Sequence, residues 1–290
     1  MAILPILAGL IAALLWGLSD YLATVPSRRF GQYRVTAYLS LFSTLTMLPV
    51  LLYVGVGPGV TPIFLVAVFA IGAINFAGLF LAYRAYRYGN LSIAAPITGA
   101  YPVVAVLGSV IILHDTISSF QALSIVVIIL GILLISVKAS ALISRKKFIA
   151  AGAGSALLSA IFLGLPSIFA GAYIVVLGYM LLGVAWRATP AALGFATGAI
   201  AGQQMGIPKQ RGFLGPVIAA GVLDGIAIIA YAYGIFAKTA SLPIIAAVAA
   251  FAGGVTVICA LVMLKERPEK NQLIGIAVAM AGIIALSYLS

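Results

Sequence analysis

The sequence predicts an all-α integral membrane protein of ten transmembrane helices, arranged as two inverted five-helix repeats. Three observations predict it. Of the 290 residues, 64% are hydrophobic and only 7% are charged, against about 25% charged in a soluble domain. Apolar runs near the ~20 residues a helix needs to cross a bilayer recur from one end of the chain to the other. The second half of the chain repeats the first.

The candidate spans are 2–23, 34–55, 62–84, 92–113, 118–137, 148–170, 173–200, 213–236, 241–264 and 270–289. The first begins "MAILPILAGLIAALLWG", has no basic residue ahead of its apolar run, and is read as a retained span rather than a cleaved leader. The sixth and seventh run together from Phe148 to Trp186, with Arg187 and Pro190 inside the seventh. No loop is long enough for a soluble domain, since the longest stretches are "KASALISRKKF" and "QQMGIPKQRG".

The net charge of +11 does not indicate a nucleic-acid binder, because the basic residues are scattered through short breaks rather than gathered on one surface. With ten spans, the first, third, fifth, seventh and ninth loops share a side. They hold every Lys and Arg except Lys238 and Arg187. The positive-inside rule makes that side cytoplasmic and puts both termini outside. Cys259 is the sole cysteine and His114 the sole histidine, so neither an internal disulfide nor a His/Cys metal cluster is expected, and no cofactor is implied. No G-x-x-x-x-G-K-[ST] phosphate loop is present.

The repeat is explicit. "IILHDTISSFQALSIVVIILGILLIS" (111–136) aligns with "VMLKERPEKNQLIGIAVAMAGIIALS" (262–287), matching Leu113 to Leu264, Asp115 to Glu266, Gln121 to Gln272 and Gly131 to Gly282. Gly17 in "AALLWGLS" corresponds to Gly164 in "SAIFLGLP". The units are 1–140 and 145–290. Five spans per unit force the second copy to enter from the opposite side. Such inverted repeats are widespread in secondary transporters, whose substrates lie near the midplane between the copies. One chain then supplies both halves, so a monomer suffices. Small residues at four-residue spacing, Ala95 and Gly99 in the fourth span and Ala246, Ala250 and Gly254 in the ninth, allow close helix approach. Pro96, Pro102 and Pro243 favour kinks there.

"YRYGNLSIAAPITGAYPVVAVLGSVIILHDTISSFQALSIVVIILGILLI" resembles the repeated unit of EamA-type proteins in the drug/metabolite transporter superfamily. "AGVLDGIAIIAYAYGIFAKTASLPIIAAVAAFAGGVTVICALVMLKERPEKNQLIGIAVAMAGIIAL" resembles a second copy, with Glu-Arg-Pro after the ninth span. The resemblance implies an exporter or exchanger of small metabolites such as amino acids, with no ATP site of its own. It also implies cytoplasmic termini, against the charge count.

Polar residues inside apolar spans mark the candidate cavity, because ionisable groups in a bilayer are rare and functional. Asp20 shares a helical face with Trp16 and suits a cationic group, a proton, or a basic partner at the span end. Asp224 lies near the middle of the eighth span, with Tyr231 on its face, and is the proton-coupling candidate. Asn75 and Gly72 match Asp224 and Gly221 across the repeat. Arg187 suits a substrate carboxylate or a pairing with Asp224. Trp16, Tyr83 and Tyr101 are candidate stacking groups, with an interfacial anchor the favoured reading for Tyr83 because it lies near a span end. Asp115 and Glu266 read as helix caps or gate contacts. The expected partners are a small-molecule substrate and the lipid bilayer, with proton coupling possible and nucleic acid excluded. The rival readings are a lipid-acting membrane enzyme, for which His114 beside Asp115 is the one acid/base pair, and a non-transporting membrane partner.

Overall fold

The structure is a computed structural model that describes residues 3–57, 59–112, 118–136, 150–237 and 251–288, with Ala139 and Ala249 besides. Among the described residues there are eleven helices and no strand: α1 (Ile3–Phe30), α2 (Gln32–Val54), α3 (Pro62–Tyr88), α4 (Leu91–Thr98), α5 (Tyr101–Ile112), α6 (Ser119–Ser136), α7 (Ala153–Leu177), α8 (Tyr179–Ile200), α9 (Leu214–Ala237), α10 (Ala252–Val262) and α11 (Lys270–Tyr288).

A helix stands at each expected span position, and the differences are instructive. The fourth span is two helices, because α4 ends at Thr98 and α5 begins at Tyr101. Pro102 has no N–H to give the Thr98 carbonyl, so the ladder fails where Pro96 and Pro102 bracket Gly99. The sixth and seventh spans divide at Gly178, not near residue 171. Gly178 (φ 80°) is the sole residue between α7 and α8, and a Cβ there would lie 2.9 Å from the Gly57 nitrogen. Only glycine meets both demands. Gly31 (φ 92°) joins α1 to α2 in the same one-residue way. Helix α1 runs to Phe30, beyond the expected end at 23, and finishes with Arg28 and Arg29 in its last turn, where cations complement the helix C-terminus.

The bundle is apolar outside and polar inside. Leu52, Ile63, Val66, Ile111, Ile200 and Val262 are exposed, while Ser19, Ser43, Asn75, Thr98, Ser159, Arg187, Asp224 and Thr256 are buried. That is the pattern of a chain solvated by lipid. Leu7–Phe30, Gln32–Val54, Pro62–Tyr88 and Leu214–Gly234 are each long and apolar enough to cross a membrane by length and composition alone.

Helices pack in corresponding pairs. α1 packs on α9 and α3 on α7; α2 packs on α8, α6 on α11, and α4 on α10. The closest approaches correspond as well. A Cβ on Gly17 would lie 2.5 Å from Val255 Cβ, and one on Gly164 would lie 2.5 Å from Val104 Cβ. Gly131 meets Ala279 as Gly282 meets Ile128. The glycines shared by the two halves of the sequence are thus points where helix backbones meet.

One end of the bundle is basic. Arg34 donates to the Gln204 carbonyl, Arg87 donates to Gln32 (2.7 Å), and Arg28 joins Glu266 (2.7 Å). These contacts bring the first, third, seventh and ninth loops together. At the far end, the Gly57 amide donates to the Leu177 carbonyl (2.9 Å).

Candidate functional site

A single cavity, enclosing about 970 Å³ of empty space including its mouth, collects all seven residues singled out in the sequence: Trp16, Asp20, Asn75, Tyr101, Arg187, Asp224 and Tyr231. They come from α1, α3, α5, α8 and α9. The α4–α10 crossing closes another wall, with Ala95 and Gly99 on one helix and Ala252 and Gly253 on the other. A Cβ on Gly253 would lie 3.3 Å from the Ala95 carbonyl oxygen, so these two small-residue helices both touch each other and line the cavity. Ala246 and Ala250 lie outside the described residues.

The centre of the site is an ion pair. Arg187 Nε donates to Asp224 Oδ2 (2.6 Å) and Nη2 to Oδ1 (2.8 Å), a bidentate fork. Nη1 donates to Asn75 Oδ1 and to the Trp186 carbonyl, each at 3.2 Å. Ser43 on α2 donates its hydroxyl to Asp224 Oδ2 at 2.5 Å. All four side chains are buried. Arg187 could from the sequence bind a substrate carboxylate, pair with Asp224 or snorkel to the interface; the structure shows it buried and paired with Asp224. Asn75 and Asp224, matched across the repeat, hold the same guanidinium from two sides.

Asp20 is different. It is half-buried, and its carboxylate accepts the Tyr86 hydroxyl at 3.1 Å. Among the described residues it forms no ion pair; the two salt bridges there are Arg28–Glu266 and Arg187–Asp224. Arg28 of its own helix is engaged elsewhere, by Glu266 and by the carbonyls of Tyr86 and Gly89.

Aromatic side chains make up much of the wall. Trp16 and Tyr231 contact each other with ring centroids 5.3 Å apart, and Tyr83 meets Tyr86 edge-on at 5.9 Å. Tyr83 is not the interfacial anchor its position near a span end suggested. Helix α3 continues to Tyr88, which places Tyr83 inside the bundle at 2% exposure. Sequence reading also missed Tyr86, Trp186, Ser43 and Thr98. The i, i+3 spacing of Tyr83 and Tyr86 and the adjacency of Trp186 to Arg187 were the available signals; Ser43 and Thr98 had none. The indole nitrogens of Trp16 and Trp186 are buried and donate to no protein acceptor among the described residues.

Below the cavity, Glu266 fastens the basic end. It accepts from Arg28 Nη2 (2.7 Å), the amides of Leu91 (3.0 Å) and Ser92 (2.8 Å), and the Ser92 hydroxyl (2.8 Å). A carboxylate on the first amides of α4 satisfies donors with no intrahelical partner. Burial works to raise the Glu266 carboxyl, but Arg28 and the Ser92 and Leu91 donors outweigh it and hold it below its ordinary value. The gate or cap role expected of Glu266 is therefore cap and ion pair together. Asp115, its counterpart in the first half, lies outside the described residues, as do His114 and Lys238. No group of three or more His, Cys, Asp or Glu able to hold a metal is found among the described residues.

A largely apolar, aromatic-walled chamber with a buried ion pair, inside a bundle of helices with apolar outer faces, is the arrangement of a multi-pass membrane protein. Residues 3–137 match the EamA-like transporter family. That match covers just under half of the chain and supports an EamA-type protein of the drug/metabolite transporter superfamily; with its long apolar helices it marks a multi-pass membrane protein. The family is one of transporters, not enzymes. No curated protein matches the chain. A solved structure described only as the crystal structure of a protein shares the fold over 98% of this chain and 96% of its own, at 20% identity and a TM-score of 0.68.

Proposed function

We propose that the protein is a secondary active transporter, an exporter or exchanger, that moves small polar metabolites such as amino acids and related amines by alternating access. The observation that carries this reading is the Arg187–Asp224 pair, buried with Asn75 and Ser43 at the wall of a cavity inside a lipid-facing bundle. Desolvating two charges there costs several kcal/mol per ion before pairing offsets it. A purely structural bundle has no use for that cost, whereas a carrier needs polar groups that can change partners.

The rest of the mechanism follows from the two-unit architecture of ten spans, 1–140 and 145–290, inverted relative to each other. Its support is the set of corresponding contacts: Gly17 with Val255 and Gly164 with Val104, and α1 on α9 and α3 on α7. The units rock about the cavity, exposing it to one side and then the other. The basic end is cytoplasmic by charge. Both halves lie in one chain, so a monomer is the working unit. Asp224 is the proton-coupling candidate, and because Arg187 holds both its oxygens, Arg187 must let go before Asp224 can change partner.

Counterflow in proteoliposomes with a panel of labelled amino acids and organic amines tests the reading. Accumulation of a label identifies a carrier and its substrate class. Asp224→Asn abolishes accumulation or removes its pH dependence. Flux with unchanged pH dependence in that variant removes Asp224 from coupling. Absence of counterflow for every compound counts against the transporter reading.

A further inference from the structure

The two acids of the cavity are not equivalent, and the difference names the substrate's charge. Asp224 is spoken for, with both oxygens held by Arg187 and Oδ2 also by Ser43. Arg187 is equally committed, to Asp224, Asn75 and the Trp186 carbonyl. A substrate carboxylate meets no uncommitted cation among the described residues of the wall. Asp20 has one neutral donor, Tyr86, and leaves the cavity with a net excess of one acid.

Around Asp20 the wall suits a cation in two further ways. Trp16 lies one helical turn from Asp20 on the same face of α1, and Tyr83, Tyr86, Tyr101 and Tyr231 line the same space. Aromatic faces attract ammonium groups, tryptophan most strongly. The break between α4 and α5 contributes as well. The negative end of α4 faces the cavity at Thr98 and Gly99, and Pro102 cannot supply the helical donor for the Thr98 carbonyl. Broken helices use such carbonyls and C-terminal ends to hold cations.

We propose that Asp20 is the ammonium-binding group of the cavity, and that the substrate is a small organic cation whose charged nitrogen sits between the Asp20 carboxylate and the aromatic wall. This deepens the transporter reading and rests on it for flux, but not for binding. A cation without a carboxylate is favoured over an anion of equal size, because an anion must first break the Arg187–Asp224 fork.

The test is equilibrium binding to the purified full chain in detergent. The probes are labelled choline, its neutral isostere 3,3-dimethyl-1-butanol, and an anion of similar bulk, 3,3-dimethylbutyrate. The expected result is saturable choline binding, with the isostere weaker by at least about tenfold and the anion weaker still. Asp20→Asn lowers choline affinity by at least about tenfold and leaves the isostere unchanged. Tyr86→Phe, which keeps the carboxylate and removes only its donor, retains choline binding and guards against a folding artefact in the first variant. Equal binding of choline and its isostere, tighter binding of the anion, undiminished choline binding in Asp20→Asn, or no choline binding at all overturns the proposal. Choline binding without counterflow of choline or of any compound in the panel leaves this site standing and sinks the transporter reading. Anion counterflow without choline binding does the reverse.

Discussion

Two arginine–carboxylate pairs among the described residues look alike on paper and differ in what surrounds them. Arg187 and Asp224 lie in the cavity with side chains 8% and 5% exposed. Arg28 and Glu266 lie at the basic end, where Arg28 is 32% exposed and Glu266 also caps α4. In the first pair, each charge depends on the other for most of its solvation. In the second, water and backbone groups share the task. Strength of contact does not separate them, since both contain a distance of 2.7 Å or less. The cost of losing a partner does.

The largest effect is expected at the cavity. Asp224→Ala strands the Arg187 guanidinium and destabilises the protein by about 3–5 kcal/mol, read as a lowered midpoint of unfolding in detergent. Replacing both partners, Arg187→Met with Asp224→Leu, restores most of that stability but not transport. If the single and double variants unfold alike, the pair does not solvate itself and the contrast with the basic end collapses. Next comes Glu266→Gln, which keeps an acceptor for the α4 amides and loses the charge. A cost of about 1 kcal/mol is expected, given the exposure of Arg28. With Cys259 replaced by serine, a single cysteine placed at Ser92 should react faster with a water-soluble maleimide in the Glu266→Gln background if Glu266 holds the basic end shut; unchanged reactivity leaves Glu266 without a closing role.

The smallest effect is the pH dependence of the basic-end pair. The folded value of Glu266 is depressed below its ordinary value of 4.5. Its contribution is therefore complete above about pH 4.5 and fades as pH falls through the lowered folded value. Unfolding midpoints of the wild type and Glu266→Gln should converge on acidification. A gap that is constant across that range would show that the charge of Glu266 contributes nothing.

Much of the site was legible because polar residues in long apolar runs are conspicuous. Asp20, Asn75, Arg187 and Asp224 each stand out in this way, and the repeat ties Asn75 to Asp224 in the sequence itself. Helix ends were less legible, and errors there propagated. Reading α3 as ending near residue 84 put Tyr83 at an interface; four more helical residues put it in the wall. Gly178 was hidden because the apolar run around it is continuous and a positive φ leaves no mark in composition. Ser43 was invisible for another reason. A serine in a transmembrane helix commonly bonds within its own helix, and only the approach of α9 to α2 turns this one toward Asp224.

The one-residue joints at Gly31 and Gly178 act like the closed ends of two pairs of tweezers. Gly31 clasps α1 to α2 at the basic end, and Gly178 clasps α7 to α8 at the far end. With no slack at the clasp, neither helix of a pair can slide far along the other. Each clasp also grips the tip of the opposite pair: the Gly57 amide, just past α2, donates to the Leu177 carbonyl beside Gly178, and Arg34, just past Gly31, donates to the Gln204 carbonyl, just past α8. The hinge of one pair is thus the latch of the other, and a movement that opens either pair has to undo a bond at the other's joint.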